Sequence, residues 1–99
     1  MTFEKFQAMP LKQQLGNAGM ELMRAARKAS NGNVDDAAVY LYRFIRTICI
    51  CAEGEAEISA CRRREFLNAA IYATECLESQ DADKIADFWR FWNKSYMSF

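Results

Sequence analysis

Apolar residues recur every three or four positions along most of this chain, a spacing that places their side chains on one face of an α-helix. The first such stretch predicts a helix that runs from Leu11 to Ala29 and begins after Pro10, since proline suits a first helical turn. The turn-forming residues 30–33, Ser-Asn-Gly-Asn, end it. Its apolar stripe consists of Leu15, Ala18, Leu22, Ala26 and Ala29.

A second helix is predicted after Asn33, whose side chain can accept hydrogen bonds from the first free amides. Asp35 and Asp36 fall in its first turn, where the helix dipole favours negative charge. Gly54 marks its predicted end, and the alternative is a continuous helix with a kink there, because residues 53–57 otherwise favour a helix. The helix has two apolar faces, so it is expected to pack between neighbours on both sides. The main face consists of Ala38, Leu41, Ile45, Ile48 and Ala52, and the weaker face of Tyr40, Phe44, Thr47 and Cys51.

Two further helices complete the predicted fold. The third covers roughly residues 55–79, with a charged first half and a second half whose small residues allow a neighbouring helix to approach closely. Asp81 can cap a shorter last helix that continues through Tyr96, and a short turn over residues 3–9 precedes the first long helix. The pattern predicts an all-α fold in which residues 1–99 form one domain, a small bundle of three long helices plus a short C-terminal helix.

Charge and composition narrow the choice of partners. The chain has 13 basic and 13 acidic residues, and this neutral balance argues against nucleic acid or an anionic membrane surface as its partner. No apolar run reaches the roughly 18 residues that a membrane span requires. The N-terminus lacks the basic-then-apolar order of a secretory signal, so we expect a cytoplasmic protein.

The residue types that most catalytic and metal sites require are scarce. The chain has no histidine, which removes Ser–His and Cys–His catalysis, and it has no glycine-rich phosphate loop. A zinc site would need all four cysteines, Cys49, Cys51, Cys61 and Cys76, whose spacing is unlike that of paired zinc ligands. The alternative is that they are small buried apolar side chains. We therefore predict that the chain is not an enzyme and has no catalytic residue, cofactor or metal.

Aromatic residues crowd the last predicted helix. In one interpretation this helix closes the bundle and its rings fill the seam. In the other, some rings stay exposed and anchor a partner, because positions 88, 91 and 92 spread over too wide an arc for one contact face. The cluster consists of Phe88, Trp89, Phe91, Trp92, Tyr96 and Phe99. Its candidate partner-binding residues are Phe88, Trp89, Trp92 and Tyr96.

Three consecutive arginines, Arg62, Arg63 and Arg64, lie in the charged half of the third helix and can share a surface with Arg43 and Arg46. They form either a solvated face paired with nearby glutamates or a patch that receives an acidic helix or a phosphate-bearing partner. Under the second interpretation, Arg43, Arg62 and Arg63 are candidate partner-binding residues.

The stretch from Ala18 to Ile48 resembles a known helical family. It reads AGMELMRAA at 18–26, GNVDDAA at 32–38 and LYRFI at 41–45. This is similar to the first helical hairpin of the MIT (microtubule interacting and transport) domain, and most similar to the variant at the N-termini of some endosomal deubiquitinases. The resemblance implies a three-helix bundle that binds short helical segments of ESCRT-III proteins or helps its parent protein to dimerise.

Two functions fit these observations. The first is a non-catalytic protein–protein interaction module, an adaptor or scaffold that binds another protein, or a second copy of itself in a homodimer. Its binding surface would lie in the grooves beside the second and third helices. The alternative is a small stand-alone regulator from a phage or mobile element, which inhibits a protein complex by binding to its surface.

Overall fold

The computed structural model describes residues 10–53 and 60–97, and the secondary structure in these ranges is helical throughout. The predicted all-α bundle of three long helices and a shorter C-terminal helix is confirmed. None of the helices in the described ranges is long and apolar enough to cross a membrane. The helices are α1 (Leu11–Ser30), α2 (Val34–Glu53), α3 (Ala60–Ser79) and α4 (Ala82–Trp92), followed by a π-helical segment (Asn93–Met97). The predicted turn over 3–9, the predicted break at Gly54, the predicted start of the third helix at Glu55, and Phe99 lie outside the described residues.

The junction between α1 and α2 is built by the turn residues at 31–33. Gly32 has a φ of 80°, the left-handed conformation that commonly closes a helix, and its N–H donates to the Ala29 carbonyl at 3.0 Å. The N–H of Asn33 donates to the Lys28 carbonyl at 2.8 Å. The side-chain oxygen of Asn33 then accepts from the N–H of Asp36 at 3.4 Å, so the predicted cap of α2 is confirmed.

The junction between α3 and α4 also consists of a residue with a positive φ followed by a side chain that caps the next helix. Gln80 has a φ of 54° and reverses the chain direction. Asp81 then accepts from the N–H groups of Asp83 at 2.9 Å and Lys84 at 3.3 Å, as the sequence predicted. The α-helix that it caps ends at Trp92 rather than Tyr96, because the winding changes to a π-helix over the following residues.

Helix α1 packs against both α2 and α4, and α2 packs against both α1 and α3. The backbones of α3 and α4 approach each other much less than those of these three pairs, so the bundle stays partly open between them. The predicted stripe of α1 is fully confirmed, since all five of its residues are buried. The core therefore forms around α1 and α2, and a groove remains on the side where α3 faces α4.

The buried face of α2 differs from the predicted one. Leu41, Ile48 and Ala52 are buried as predicted, but Ala38 and Ile45 are only half-buried. The residues assigned to the weaker face include two that are fully enclosed, Phe44 and Cys51. The prediction was wrong here because α2 is apolar around much of its circumference, and the rings of α4 decide which side becomes the centre.

Candidate protein-interaction surface

A groove of about 740 Å³ runs between α3 and α4. We call it the α3–α4 groove. The half-buried Ala69 of α3 and the nearly buried Phe88 of α4 line its bottom, and the fully buried Trp92 lies directly beneath, so the bottom of the groove is apolar. Helix α3 contributes one wall with Glu65, Asn68 and Tyr72, which recur every three or four residues on one face of the helix.

A connected set of aromatic rings supports the groove from below. The ring of Trp92 meets that of Phe44 edge-on, with centroids 5.0 Å apart, and Phe88 meets Phe44 in the same way at 5.5 Å. Tyr72 of α3 contacts Phe88 with centroids 4.8 Å apart. Edge-to-face pairs of this kind stabilise beyond the area that they bury. The aromatic residues of α4 therefore link it to both α2 and α3.

Phe88 and Trp92 were candidate partner-binding residues, and the structure places both in the core. Trp92 is fully buried and Phe88 is almost fully buried. Neither side chain is therefore exposed enough to act as an anchor that projects into a partner. Both residues point inward because Ile85, Phe88 and Trp92 recur every three or four positions and share one face of α4. For these two residues the structure supports the interpretation in which α4 closes the bundle.

Trp89 and Tyr96 occupy intermediate positions. Both are half-buried and pack against the edge of the core. The hydroxyl of Tyr96 donates to the Glu65 carboxylate at 3.1 Å, and the Arg62 guanidinium lies 5.8 Å from the Tyr96 ring centre. Burial, followed by the hydrogen bond to Glu65, raises the pKa of Tyr96. The side chains of Arg62, Glu65 and Tyr96 together close one end of the α3–α4 groove.

Phe91 is the most exposed ring in the groove. It lies on the rim with 61% of its surface exposed, which confirms the expectation that the aromatic residues of this helix do not all face one way. Asp87, one turn earlier on the same rim, forms an ion pair with Arg90. The Lys84 ammonium, one turn before Asp87 on α4, lies 5.1 Å from the ring centre of the partly exposed Tyr72 on the opposite wall. The groove thus has an apolar bottom, an exposed aromatic on its rim and charged groups around it.

Three of the predicted arginines, Arg43, Arg62 and Arg63, have different neighbours. The Nε of Arg63 donates to the Ala52 carbonyl at 2.8 Å, in the last turn of α2. This hydrogen bond links α3 to the C-terminal part of α2 within the described residues. Arg43 lies nine residues before Ala52, about 13 Å along the helix axis, with its guanidinium 5.3 Å from the Tyr40 ring centre. Of the predicted arginines, only Arg62 lines the α3–α4 groove.

All four cysteines are free thiols. Burial raises the pKa of Cys51 to about 12, and burial also raises the pKa values of Cys49 and Cys76. A nucleophilic cysteine needs a lowered pKa, so these three thiols are protonated and poorly reactive at neutral pH. Within the described residues, no group of three or more cysteine, aspartate or glutamate side chains is placed to hold a metal ion.

The buried thiol of Cys51 predicts a loss of stability in alkali. Its folded pKa is raised from the ordinary 9.0 to about 12, so the unfolded chain releases this proton first. The contribution of the buried Cys51 thiol to the free energy of unfolding is complete below pH 9 and is lost as the pH rises towards 12. From this thiol alone we expect a loss of about 1 kcal/mol of unfolding free energy between pH 9 and pH 10.

Urea unfolding at these pH values measures this effect. Cys51→Ala is expected to show a shallower decline with pH than the parent chain, whatever its stability at neutral pH. Cys61→Ala, which removes an exposed thiol, is the matched control. An unchanged decline in Cys51→Ala would contradict the prediction.

The chain was compared with protein-family models, with curated proteins and with solved structures, and nothing in the three comparisons matches it. The resemblance to MIT domains, and the class of partner that it implies, therefore stay predictions.

Several residues of α3 that line the groove or are exposed outside it were not predicted as binding residues. Glu65 and Tyr72 line the α3–α4 groove, and Leu67 and Ile71 are exposed on the outer side of α3. The sequence signal for the last two was a pair of large apolar residues four positions apart, on the side of the helix away from Ala73. Glu65 and Tyr72 had no local signal, since their position depends on where α4 lies.

Proposed function

We propose that this chain is a non-catalytic protein-interaction module that binds an amphipathic helix of another protein in the α3–α4 groove. One observation carries the proposal, namely the exposed ring of Phe91 beside an apolar groove bottom. Exposed aromatic residues next to an apolar depression are favoured anchor points in protein interfaces. The walls of this groove are α3 and α4, whereas the sequence favoured the grooves beside the second and third helices.

The shape and surroundings of the groove support a helical partner. It runs between two helices, and insertion of the apolar face of an amphipathic helix into such a groove is a recurrent mode of recognition. Asn68, Asp87 and Ser95 provide polar groups around the apolar bottom, an arrangement that is usual for an interface rim. A short helical partner is also what the resemblance to MIT domains implies.

The polar groups at the groove support binding rather than catalysis. Glu65 accepts a hydrogen bond from Tyr96, and Asp87 pairs with Arg90, so both carboxylates already have partners in the chain. General acid–base catalysis requires a group that can exchange a proton with a substrate placed within hydrogen-bonding distance. Carboxylates engaged in this way serve better to fix the shape and charge of the groove.

The test uses a displayed library of helix-forming peptides of about 12 to 16 residues, the usual length of a protein helix. Peptides selected on the parent chain are synthesised, and their dissociation constants are measured for the parent chain and for Phe91→Ala. We expect selected peptides with apolar residues spaced three and four apart. Their affinity for Phe91→Ala should fall about tenfold or more, the usual effect of removing an interface anchor.

Tyr42→Ala is the matched control. Tyr42 is an aromatic residue of α2 that is 63% exposed, almost the same fraction as Phe91, and it does not line the groove. Selected peptides should bind Tyr42→Ala and the parent chain equally well. Peptides that bind Phe91→Ala as tightly as the parent chain, or a selection that yields no binder, would overturn the proposal.

A further inference from the structure

The outer side of α3 carries two large apolar side chains. Leu67 and Ile71 are 44% and 59% exposed, and they lie one turn apart. Another side of the same helix, about 120° around its axis, is packed into the core through Phe66, Ala70 and Ala73. Helix α3 is therefore apolar on two sides, and only the inner side has a neighbour in the described chain. A helix with this pattern usually has neighbours on both sides.

The exposed pair belongs to a longer regular row. The positions 60, 64, 67, 71, 74 and 78 alternate in steps of four and three, and every one of them is exposed. This alternation has the spacing of the seam of a two-helix coiled coil, with the two large apolar residues at its centre. The row consists of Ala60, Arg64, Leu67, Ile71, Thr74 and Glu78.

The row is complementary to itself when it is reversed. Two antiparallel copies centred on position 69 place Leu67 opposite Ile71, Arg64 opposite Thr74 and Ala60 opposite Glu78. The long side chain of Arg64 then lies within about one turn of Glu75 and Glu78 of the second copy. A parallel arrangement would instead bring Arg64 against Arg64, and like charges at such positions repel. Charge complementarity therefore favours a second copy of this chain as the partner, with its α3 in the antiparallel orientation.

We propose that the outer side of α3 is a self-association surface on which a second copy of this chain docks with its α3 antiparallel. The α3–α4 groove is a separate surface, so this proposal does not depend on the proposed function. The seam extends along α3, whose 20 residues span about 30 Å. One helix pair of this length, with two large apolar residues from each copy, buries less than the roughly 1,200 Å² of a stable interface. The dimer is therefore a weak one, which forms appreciably only at high protein concentration.

Sedimentation equilibrium of the complete chain, from about 10 µM to about 1 mM, tests the proposal. We expect a reversible monomer–dimer equilibrium in this range. Ile71→Glu should raise the dissociation constant at least tenfold, because it puts a charge at the centre of the seam. Val39→Glu, which places the same charge at an exposed apolar position of α2, should leave the constant unchanged. A monomeric mass at every concentration, or a dimer that Ile71→Glu does not weaken, would overturn the proposal.

A charge exchange tests the antiparallel orientation. Arg64 and Glu78 are both exposed, and Glu78 is preferred to Glu75 because Glu75 already pairs with Lys84 at 3.8 Å. Arg64→Glu alone and Glu78→Arg alone should each weaken the dimer, since each places like charges together across the seam. The double variant should return the dissociation constant to within about threefold of the parent value. Failure of the double variant to recover, while its helical circular dichroism is unchanged, would exclude this arrangement.

Phe91→Ala separates the two proposed surfaces. It removes the exposed ring of the α3–α4 groove, which the seam does not include, so the dimer should persist unchanged. A dimer that is lost in Phe91→Ala and kept in Ile71→Glu would place self-association in the groove and overturn the α3 seam. Peptide binding to the groove is measured independently, so either proposal can fail while the other holds.

Discussion

Replacing Trp92 by alanine is expected to lower the free energy of unfolding by about 3 to 5 kcal/mol, the usual effect of removing a large aromatic side chain from a core. Trp92 is fully buried, and its ring lies 5.0 Å from that of Phe44 and 4.4 Å from that of Tyr96, measured between centroids. The substitution would therefore leave a cavity where α4 meets α2 and disconnect the rings beneath the α3–α4 groove. In a domain of about 100 residues, a loss of this size lowers Tm by at least about 12 °C.

Phe91 provides an adjacent control for this experiment. It precedes Trp92 directly, but 61% of its surface is exposed, so Phe91→Ala should change the unfolding free energy by no more than about 0.5 kcal/mol. Thermal and urea unfolding of the two variants compare loss of a buried ring with loss of an exposed one on the same helix. Similar stabilities for the two variants would contradict the placement of Trp92 in the core.

Trp92→Phe gives a finer test of the same site. The indole Nε1 of Trp92 is buried and has no hydrogen-bond partner among the described residues. A buried donor without a partner costs stability, so removing it offsets part of the loss in packed volume. The unfolding free energy of Trp92→Phe should therefore be much closer to that of the parent chain than the unfolding free energy of Trp92→Ala is.

The sequence was sufficient for the features that local chemistry decides. Asn33 and Asp81 cap the helices that follow them, and Gly32 adopts the left-handed conformation at the end of α1. In each case the relevant atoms lie within a few residues of one another, so pattern and residue type determine the outcome. The buried stripe of α1 was predictable for the same reason, since the small and apolar residues of this helix recur along one side.

The sequence was insufficient where an element from a distant part of the chain decides the outcome. Phe44 becomes central to the core because Phe88 and Trp92 contact it, and they lie more than 40 positions later in the chain. The same contacts draw Phe88 and Trp92 inward and leave Phe91 on the rim. Periodicity assigns residues to faces of one helix, but it does not show which face of α2 meets which face of α4. The groove forms only where α3 and α4 lie beside each other, so no local sequence pattern could have located it.

The close packing of α3 predicts a second large effect, from a substitution that adds volume. Ala73 is fully buried on the inner side of α3, and the small residues there allow the helix to approach its neighbours closely. Ala73→Leu would insert additional carbon atoms into this buried position, and we expect overpacking to lower the unfolding free energy by about 2 to 3 kcal/mol. Alanine and leucine have similar helix propensities, so the effect would report packing rather than helix formation.

Ala60→Leu is the control for Ala73→Leu, because it makes the same replacement on the same helix at an exposed position. Its unfolding free energy should stay within about 0.5 kcal/mol of the parent value in dilute solution. If Ala73→Leu were as stable as Ala60→Leu, the inner side of α3 would have room for a larger side chain. Helix α3 would then be held to the bundle loosely, and the wall that it provides to the α3–α4 groove would not have a fixed position. A clear difference between the two variants would instead mean that tight packing on the inner side of α3 fixes this wall, and with it the spacing of Glu65, Asn68 and Tyr72 from the rim residues of α4.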